Sequence, residues 1–128
     1  MILLDTCTLL WLALEPDHLS PRARDVLTAT PDTVFVSVVT AFEIGQKHAK
    51  GKLELKHPPM RWVPLAIKHH HLQTLALDLP VALRAAALPP LHNDPFDRLL
   101  IATAQEHHLT LFTPDPKIRA YPDLKTLW

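Results

Sequence analysis

Short strand-like segments alternate with helical segments along the whole chain, and this alternation constrains the fold more than any other feature. Four segments rich in aliphatic or β-branched residues are each followed by a helical stretch, and a weaker segment stands near the end. Strands separated by helices pair in parallel through right-handed crossovers. We therefore predict a three-layer α/β/α fold, Rossmann-like, with a central parallel sheet of four to five strands. The predicted strands are Ile2–Leu4, Thr33–Ser37, Gln73–Leu77, Leu109–Thr113 and, at the edge, Leu124–Leu127.

The predicted helices begin where the sequence carries capping residues or proline. Ser20 precedes Pro21 and Asp94 precedes Pro95, so in both places an N-cap is followed by proline at the first helical position. Proline accounts for 13 residues and glycine for only 2, so turns are built mainly by proline, Asp and Asn. The predicted helices cover residues 6–12, 21–27, 39–51, 58–67, 80–85 and 95–107.

Length and composition indicate a single domain that comprises residues 1–128. With 48% hydrophobic residues, a chain of 128 residues can bury a substantial core. No window is long enough to cross a bilayer, so no membrane segment is predicted. The single cysteine, Cys7, excludes an internal disulfide and is typical of the reducing cytoplasm. The formal net charge is zero, so a long-range basic field is not how this chain finds a partner.

Acidic residues occupy corresponding places after several predicted strands. Asp5 follows the first strand and Asp115 the fourth, whereas Glu43 and Asp97 fall on the first turns of two predicted helices. In a doubly wound sheet, the ends of the strands and the starts of the helices that follow share one edge. We therefore expect four carboxylates to meet at that edge.

Each of these acids also has an ordinary structural explanation. Glu43 is compatible with an exposed acid favoured by the helix dipole, and Asp115 with a simple turn. Asp94 is a good N-cap, and whether it also binds a metal is left open. Asp97 is harder to explain, because its helix is apolar nearly all round and an unpaired buried charge is costly.

A cluster of carboxylates repels itself and raises its own pKa values unless a cation lies within it. Oxygen ligands favour Mg²⁺ or Mn²⁺ over softer metals, so we predict a site for Mg²⁺, with Mn²⁺ as the alternative. The number of ions is left open. The nine histidines lack the spacing of a structural zinc site, although His92 lies near the acids as a candidate outer-shell group.

Four segments resemble the PIN domain and, more narrowly, the VapC-type toxins of bacterial and archaeal toxin–antitoxin pairs. These segments are Ile2–Thr6, Ser37–Ile44, Asp94–Ala104 and Leu111–Asp115. The resemblance covers essentially the whole chain, and the string Asp-Pro-Phe-Asp-Arg is its most specific element. It implies a PIN-like fold and a metal-dependent endoribonuclease, the toxin of such a pair, in which a metal-activated water hydrolyses RNA phosphodiester bonds. It also implies inhibition by a cognate antitoxin protein. Assembly as a homodimer is expected separately, from the apolar surface near the N-terminus.

The resemblance also assigns roles to individual residues. Thr6 and Thr113 match positions where the family often places a hydroxyl near the site, and both are candidates for substrate binding. The catalytic acids, which are also metal ligands, are Asp5, Glu43, Asp97 and Asp115, and Asp94 is an added ligand of the subgroup.

Two basic residues are candidates for contacts with RNA. Lys47 follows Glu43 closely and either belongs to a solvated helix face or steers phosphate. Arg98 stands beside Asp97 and either pairs with it or binds a phosphate through two hydrogen bonds. The first helix also carries more apolar residues than one core face needs, so part of it is expected to contact the antitoxin or a second protomer.

Two other functions are compatible with an Asp after the first strand. A phosphoacceptor or phosphatase-type α/β domain would use Asp5 as the acceptor, but the dehalogenase pattern requires a second acid where Cys7 stands. A non-catalytic PIN-fold RNA-binding domain is the other alternative, and the complete set of acids argues against it.

Overall fold

A parallel five-stranded sheet forms the centre of the computed structural model, which describes residues 1–29 and 32–128. The strands lie in the order β3-β2-β1-β4-β5, and every pair is parallel. The predicted α/β fold is thereby confirmed. The strands are β1 (Ile2–Leu4), β2 (Val34–Ser37), β3 (Gln73–Leu75), β4 (Thr110–Phe112) and β5 (Thr126–Leu127).

In residues 1–29 and 32–128, seven α-helices and a short 3₁₀ turn at Pro16–His18 connect the strands. Two differences from the prediction stand out: β3 ends two residues early, and the segment after β4 contains a helical turn. No described helix combines the length and the apolar character needed to cross a membrane. The helices are α1 (Thr6–Leu14), α2 (Pro21–Ala29), α3 (Val38–Ala49), α4 (Pro59–His69), α5 (Leu79–Ala87), α6 (Pro95–Glu106) and α7 (Pro116–Arg119).

The central strand β1 is covered on both faces, as the alternation of its side chains requires. Leu4 packs into a core that includes Leu9 of α1 and Ile44 of α3. Leu3 points to the opposite face and packs against Ile101 of α6, in a core that also includes Tyr121. Burying each such aliphatic side chain contributes about 1.5–3 kcal/mol, so the two cores fix the position of β1 firmly.

Strand ends and helix starts meet at one edge of the sheet. The register pairs Leu4 with Val36 of β2 and with Phe112 of β4, so the three central strands end at nearly the same level. A polar N-cap stands at the end of each of these strands or within three residues of it: Asp5 for α1, Ser37, the last residue of β2, for α3, and Asp115 for α7. The fold therefore brings polar groups from distant parts of the sequence to this edge.

Most of the apolar side chains of α1 pack inside the domain. Leu10 and Leu12 pack against the core, and the ring of Trp11 contacts the rings of His18 and Trp128. Larger exposed apolar groups lie elsewhere. They are Phe42 on α3, Met60 on α4, and Leu79 and Leu83 on α5.

Candidate metal centre at the carboxyl edge of the sheet

All five predicted acids line a single pocket of about 310 Å³ at the carboxyl edge of the sheet. The pocket is also lined by Thr6, Cys7 and Lys47. The convergence that the sequence predicts is therefore present in the fold. The acids are Asp5, Glu43, Asp94, Asp97 and Asp115.

Asp5 is the most deeply buried of these acids, with only 4% of its surface exposed. The Thr8 N–H donates to its Oδ1 over 2.7 Å and so caps α1, while the Thr8 hydroxyl donates to the Phe112 carbonyl. Burial raises the pKa of Asp5, hydrogen bonds from Thr113 and Thr8 lower it, and the charge of Glu43 raises it. A helix cap does not require such burial, so Asp5 is held at the base of the pocket at an electrostatic cost.

Glu43 lies in the second turn of α3, not the first, because the helix begins at Val38. Its side chain is only 14% exposed, so the interpretation as an exposed acid at the helix start is wrong. The Thr6 hydroxyl donates to Glu43 Oε1 over 2.6 Å, and Lys47 Nζ lies 3.6 Å from Oε2. These contacts fix the carboxylate at the pocket wall and place a cation beside it.

Asp94 and Asp97 enter the pocket from the start of α6. Asp94 Oδ1 accepts the N–H groups of Phe96 and Asp97, so the predicted N-cap is formed. Asp97 Oδ2 lies 2.7 Å from His92 Nε2, in the loop before α6. Asp94 thus has a complete structural role, while Asp97 presents its carboxylate to the pocket and to a histidine.

Asp115 reaches the pocket although Pro114 and Pro116 flank it. Its Oδ1 accepts the Lys117 N–H and caps α7, and its own N–H donates to the buried Thr113 hydroxyl. Asp115 Oδ2 lies 3.6 Å from His92 Nε2. The two prolines therefore shape the turn without turning the carboxylate away.

The Arg98 guanidinium donates to backbone carbonyls, and among the described residues it forms no ion pair with Asp97. Its Nη2 donates to the carbonyls of Ala85 and Leu88, over 2.9 and 2.8 Å. Its Nη1 donates to the carbonyls of Pro89 and His92. The guanidinium therefore fastens the end of α5 and the following loop to α6, and Arg98 does not line the acidic pocket.

The pocket chemistry fits a hard divalent cation. Five carboxylates and one lysine line it, with a histidine at its rim, so negative charge is in clear excess. Burial raises the pKa values of Asp5 and Asp97, so a bound cation would stabilise their charged forms. The donors Asp5, Asp97 and Asp115 belong to the ligand class that Mg²⁺ and Mn²⁺ prefer.

The metal-free protein should lose stability as the pH rises toward 6. Burial, followed by the charges of Asp94 and Glu43, raises the pKa of Asp97 from 3.8 to about 6 against the opposing effect of His92. The folded state then holds its proton more tightly than the unfolded state, so this contribution is complete below pH 3.8 and is lost as the pH rises through about 6. Thermal unfolding in a chelator should show a fall of Tm across this window, and Asp97→Asn should flatten it. An equally steep fall in the variant would contradict the assignment.

Comparisons with known proteins agree with this geometry. A sequence model of the PIN domain matches residues 2–124. The chain is 32% identical over 130 residues to Ribonuclease VapC22 of Mycobacterium tuberculosis (strain ATCC 25618 / H37Rv), covering 99% of this chain and 98% of that protein.

Two solved structures share the fold over nearly the whole chain. The crystal structure of FitAcB from Neisseria gonorrhoeae superposes with a TM-score of 0.69 at 25% identity, covering 100% of this chain and 97% of that one. A crystal structure of VapBC2 from Rickettsia felis, bound to a DNA fragment from their promoter, gives a TM-score of 0.73 at 21% identity. It covers 99% of this chain and 98% of that chain.

Proposed function

This chain belongs to the PIN domain family, and from that premise we propose that it is a metal-dependent endoribonuclease acting as the toxin of a toxin–antitoxin pair. The observation that carries the proposal is the convergence of five carboxylates on one pocket, with Asp5 buried at its base. A relative that is 32% identical over nearly the full length is named a ribonuclease, which supports the same activity.

We propose that Asp5, Asp97 and Asp115 hold the cation, Mg²⁺ or Mn²⁺, and that Asp94 contributes at the edge of the site. When bound, such an ion neutralises charge at the scissile phosphate and makes a water molecule more acidic. The Thr8 N–H and the Thr113 hydroxyl hold Asp5 in place. Preorganised ligands of this kind need little rearrangement when the site fills.

Glu43 and Lys47 supply the remaining chemistry from the wall of the pocket. Because the Thr6 hydroxyl donates to Oε1 of Glu43, the other oxygen is left to accept a proton from the attacking water or to orient it. Lys47 Nζ lies 3.6 Å from that second oxygen, and we propose that it pairs with an RNA phosphate that enters the pocket. The buried Thr113 hydroxyl accepts the Asp115 N–H, and its hydrogen bond to Asp5 lowers the pKa of that acid, so we propose that it positions both acids.

The alternatives fit the pocket less well. A phosphoacceptor Asp must reach a phosphorus atom, but Asp5 is 4% exposed and one of its oxygens caps α1. A domain that only binds RNA would gain nothing from five carboxylates, because they repel phosphate unless a cation neutralises them. Both alternatives leave the depth and number of the acids unexplained.

Exposed apolar groups near the acidic pocket are suited to protein partners. Phe42 is 60% exposed, and its ring lies 5.7 Å from that of Phe96, on the helix that carries Asp97. We propose that a cognate antitoxin and a second copy of the chain bind in this region, in the cytoplasm. Apolar patches of this kind commonly mark protein interfaces.

Metal removal is the direct test of the proposed activity. The purified chain, incubated with total RNA, should cleave it in the presence of Mg²⁺ or Mn²⁺ and should stop when a chelator is added, since the acids alone cannot neutralise the phosphate. Addition of excess metal should restore cleavage, as measured by mapping of the new RNA ends. Cleavage that continues at the same rate in the chelator would refute the metal-dependent mechanism.

A further inference from the structure

One nitrogen atom lies between two of the acids of the pocket. His92 Nε2 is 2.7 Å from Asp97 Oδ2 and 3.6 Å from Asp115 Oδ2. Among the described residues, these three side chains form a group whose ligand atoms all lie within 4.8 Å of one another. Ligands about 2.1 Å from an octahedral ion lie roughly 3.0 Å apart when adjacent and about 4.2 Å when opposite, so one ion can reach all three after small adjustments.

We propose that His92 is a nitrogen ligand of the divalent ion, together with Asp97 and Asp115. This inference rests on the proposed metal-dependent function and adds a residue outside the acidic set. Mg²⁺ strongly prefers oxygen ligands, whereas imidazole suits first-row transition ions. With His92 as a ligand, the site selects Mn²⁺ over Mg²⁺ more strongly than the carboxylates alone would.

Hydrogen bonds hold the backbone of His92 in a fixed position, which favours binding of a metal ion. The His92 N–H donates to the Tyr121 hydroxyl over 2.9 Å, and its carbonyl accepts from Arg98 over 3.2 Å. Tyr121 is itself buried and donates to the Pro89 carbonyl. Both backbone groups of His92 are therefore fixed, its side chain is only 13% exposed, and little conformational freedom remains to be lost on binding an ion.

A different role for His92 would be to orient Asp97 through a hydrogen bond without touching the ion. Nε2 would then have to carry a proton and donate to Asp97, a function that a glutamine amide can reproduce. As a ligand, Nε2 must instead offer its lone pair to the ion. His92→Gln separates the two roles, because it keeps a donor of similar reach and removes the imidazole nitrogen.

Pulsed electron paramagnetic resonance of the Mn²⁺-loaded full-length chain tests the proposal. The wild type should show modulation from a directly bound nitrogen, and histidine labelled with a different nitrogen isotope should change the pattern without any mutation. His92→Gln should lose the modulation, and its ratio of Mn²⁺ to Mg²⁺ affinity should fall by about tenfold in calorimetric titrations. His108→Asn should keep both properties, because His108 is exposed and has a positive φ that Asn tolerates.

Two outcomes would overturn the proposal in distinguishable ways. Mn²⁺ that binds to the wild type without nitrogen modulation, or modulation that persists in His92→Gln, excludes His92 as a ligand and leaves the proposed nuclease function standing. Failure of the wild type to bind Mn²⁺ while it still binds Mg²⁺ would overturn this inference alone, and failure to bind either ion would refute the metal-dependent function as well.

Discussion

Asp5→Asn is expected to abolish RNA cleavage and, in the same protein, to leave the fold intact or stabilise it. Loss of an outer-shell partner of a metal ligand typically costs 10–100-fold, so loss of a direct ligand should cost on the order of a thousandfold or more. Asn keeps the size of Asp and an oxygen that accepts the Thr8 N–H, so α1 remains capped. Burial and the charge of Glu43 both raise the pKa of Asp5, so the charged form is unfavourable in the metal-free protein. Replacing Asp5 by Asn removes that electrostatic cost.

A variant that loses activity but not stability makes the test specific, because simple unfolding would lower both. Cleavage of a defined RNA in Mg²⁺ measures the loss, and thermal unfolding in a chelator should show a Tm equal to or above that of the wild type. Asp78→Asn is the matched control, because Asp78 also caps a helix by accepting the Val81 N–H but lies outside the acidic pocket. Cleavage by Asp5→Asn at the wild-type rate would show that the carboxylate is not part of the catalytic site.

The sequence was sufficient to predict the fold and the convergence of the acids for one physical reason. Parallel pairing through helical crossovers sends the end of every strand to the same edge, whatever the details of packing. Asp5 and Asp115 therefore reach the pocket by topology alone. Glu43 and Asp97 reach it because they follow the starts of α3 and α6 by a few residues, so an error of one or two residues in a helix boundary did not matter.

The contacts that the sequence did not predict depend on packing between distant elements. Pairing with Asp97 is one of two roles that the sequence suggests for Arg98, because the two are neighbours in the chain. Successive helical residues point in directions about 100° apart, so the two side chains do not face each other. The sequence indicates His92 only as a candidate outer-shell group near the acids. Its position depends on Tyr121, which lies 29 residues away, and no local pattern indicates that contact.

The short helical turn α7 was missed for a local reason. From the sequence alone, Asp115 is compatible with a simple turn. Pro116 at the first helical position, preceded by Asp115 as N-cap, is nevertheless a helix start signal of the same kind as Asp94 and Pro95. The signal was present in the sequence and could have been used. Its consequence for the site is favourable, since the cap holds Asp115 at the pocket.

Arg98→Met is expected to destabilise the protein by about 3 kcal/mol, because several backbone carbonyls would lose a charged donor at once. Ala85 and Leu88 lie at the end of α5, where the last carbonyls lose their regular helical partners and a cation is favourable. The Leu88 N–H reaches the Ala85 carbonyl only over 3.4 Å. Methionine retains most of the apolar stem and so isolates the loss of the guanidinium. Arg98→Lys should recover only part of the loss, since an ammonium cannot reach carbonyls on both sides as the planar guanidinium does.

Urea denaturation of Arg98→Met beside Arg84→Met provides the measurement. Arg84 lies on α5 and forms an exposed ion pair with Glu106 at 2.6 Å, so its replacement should cost about 1 kcal/mol or less. Equal urea midpoints for the two variants would show that the Arg98 hydrogen bonds contribute no more to stability than the exposed ion pair of Arg84. If an Arg98 variant instead kept the stability of the wild type and bound RNA more weakly, the result would support the contact between Arg98 and an RNA phosphate that the sequence suggests. The guanidinium would then have to be free of the α5 carbonyls.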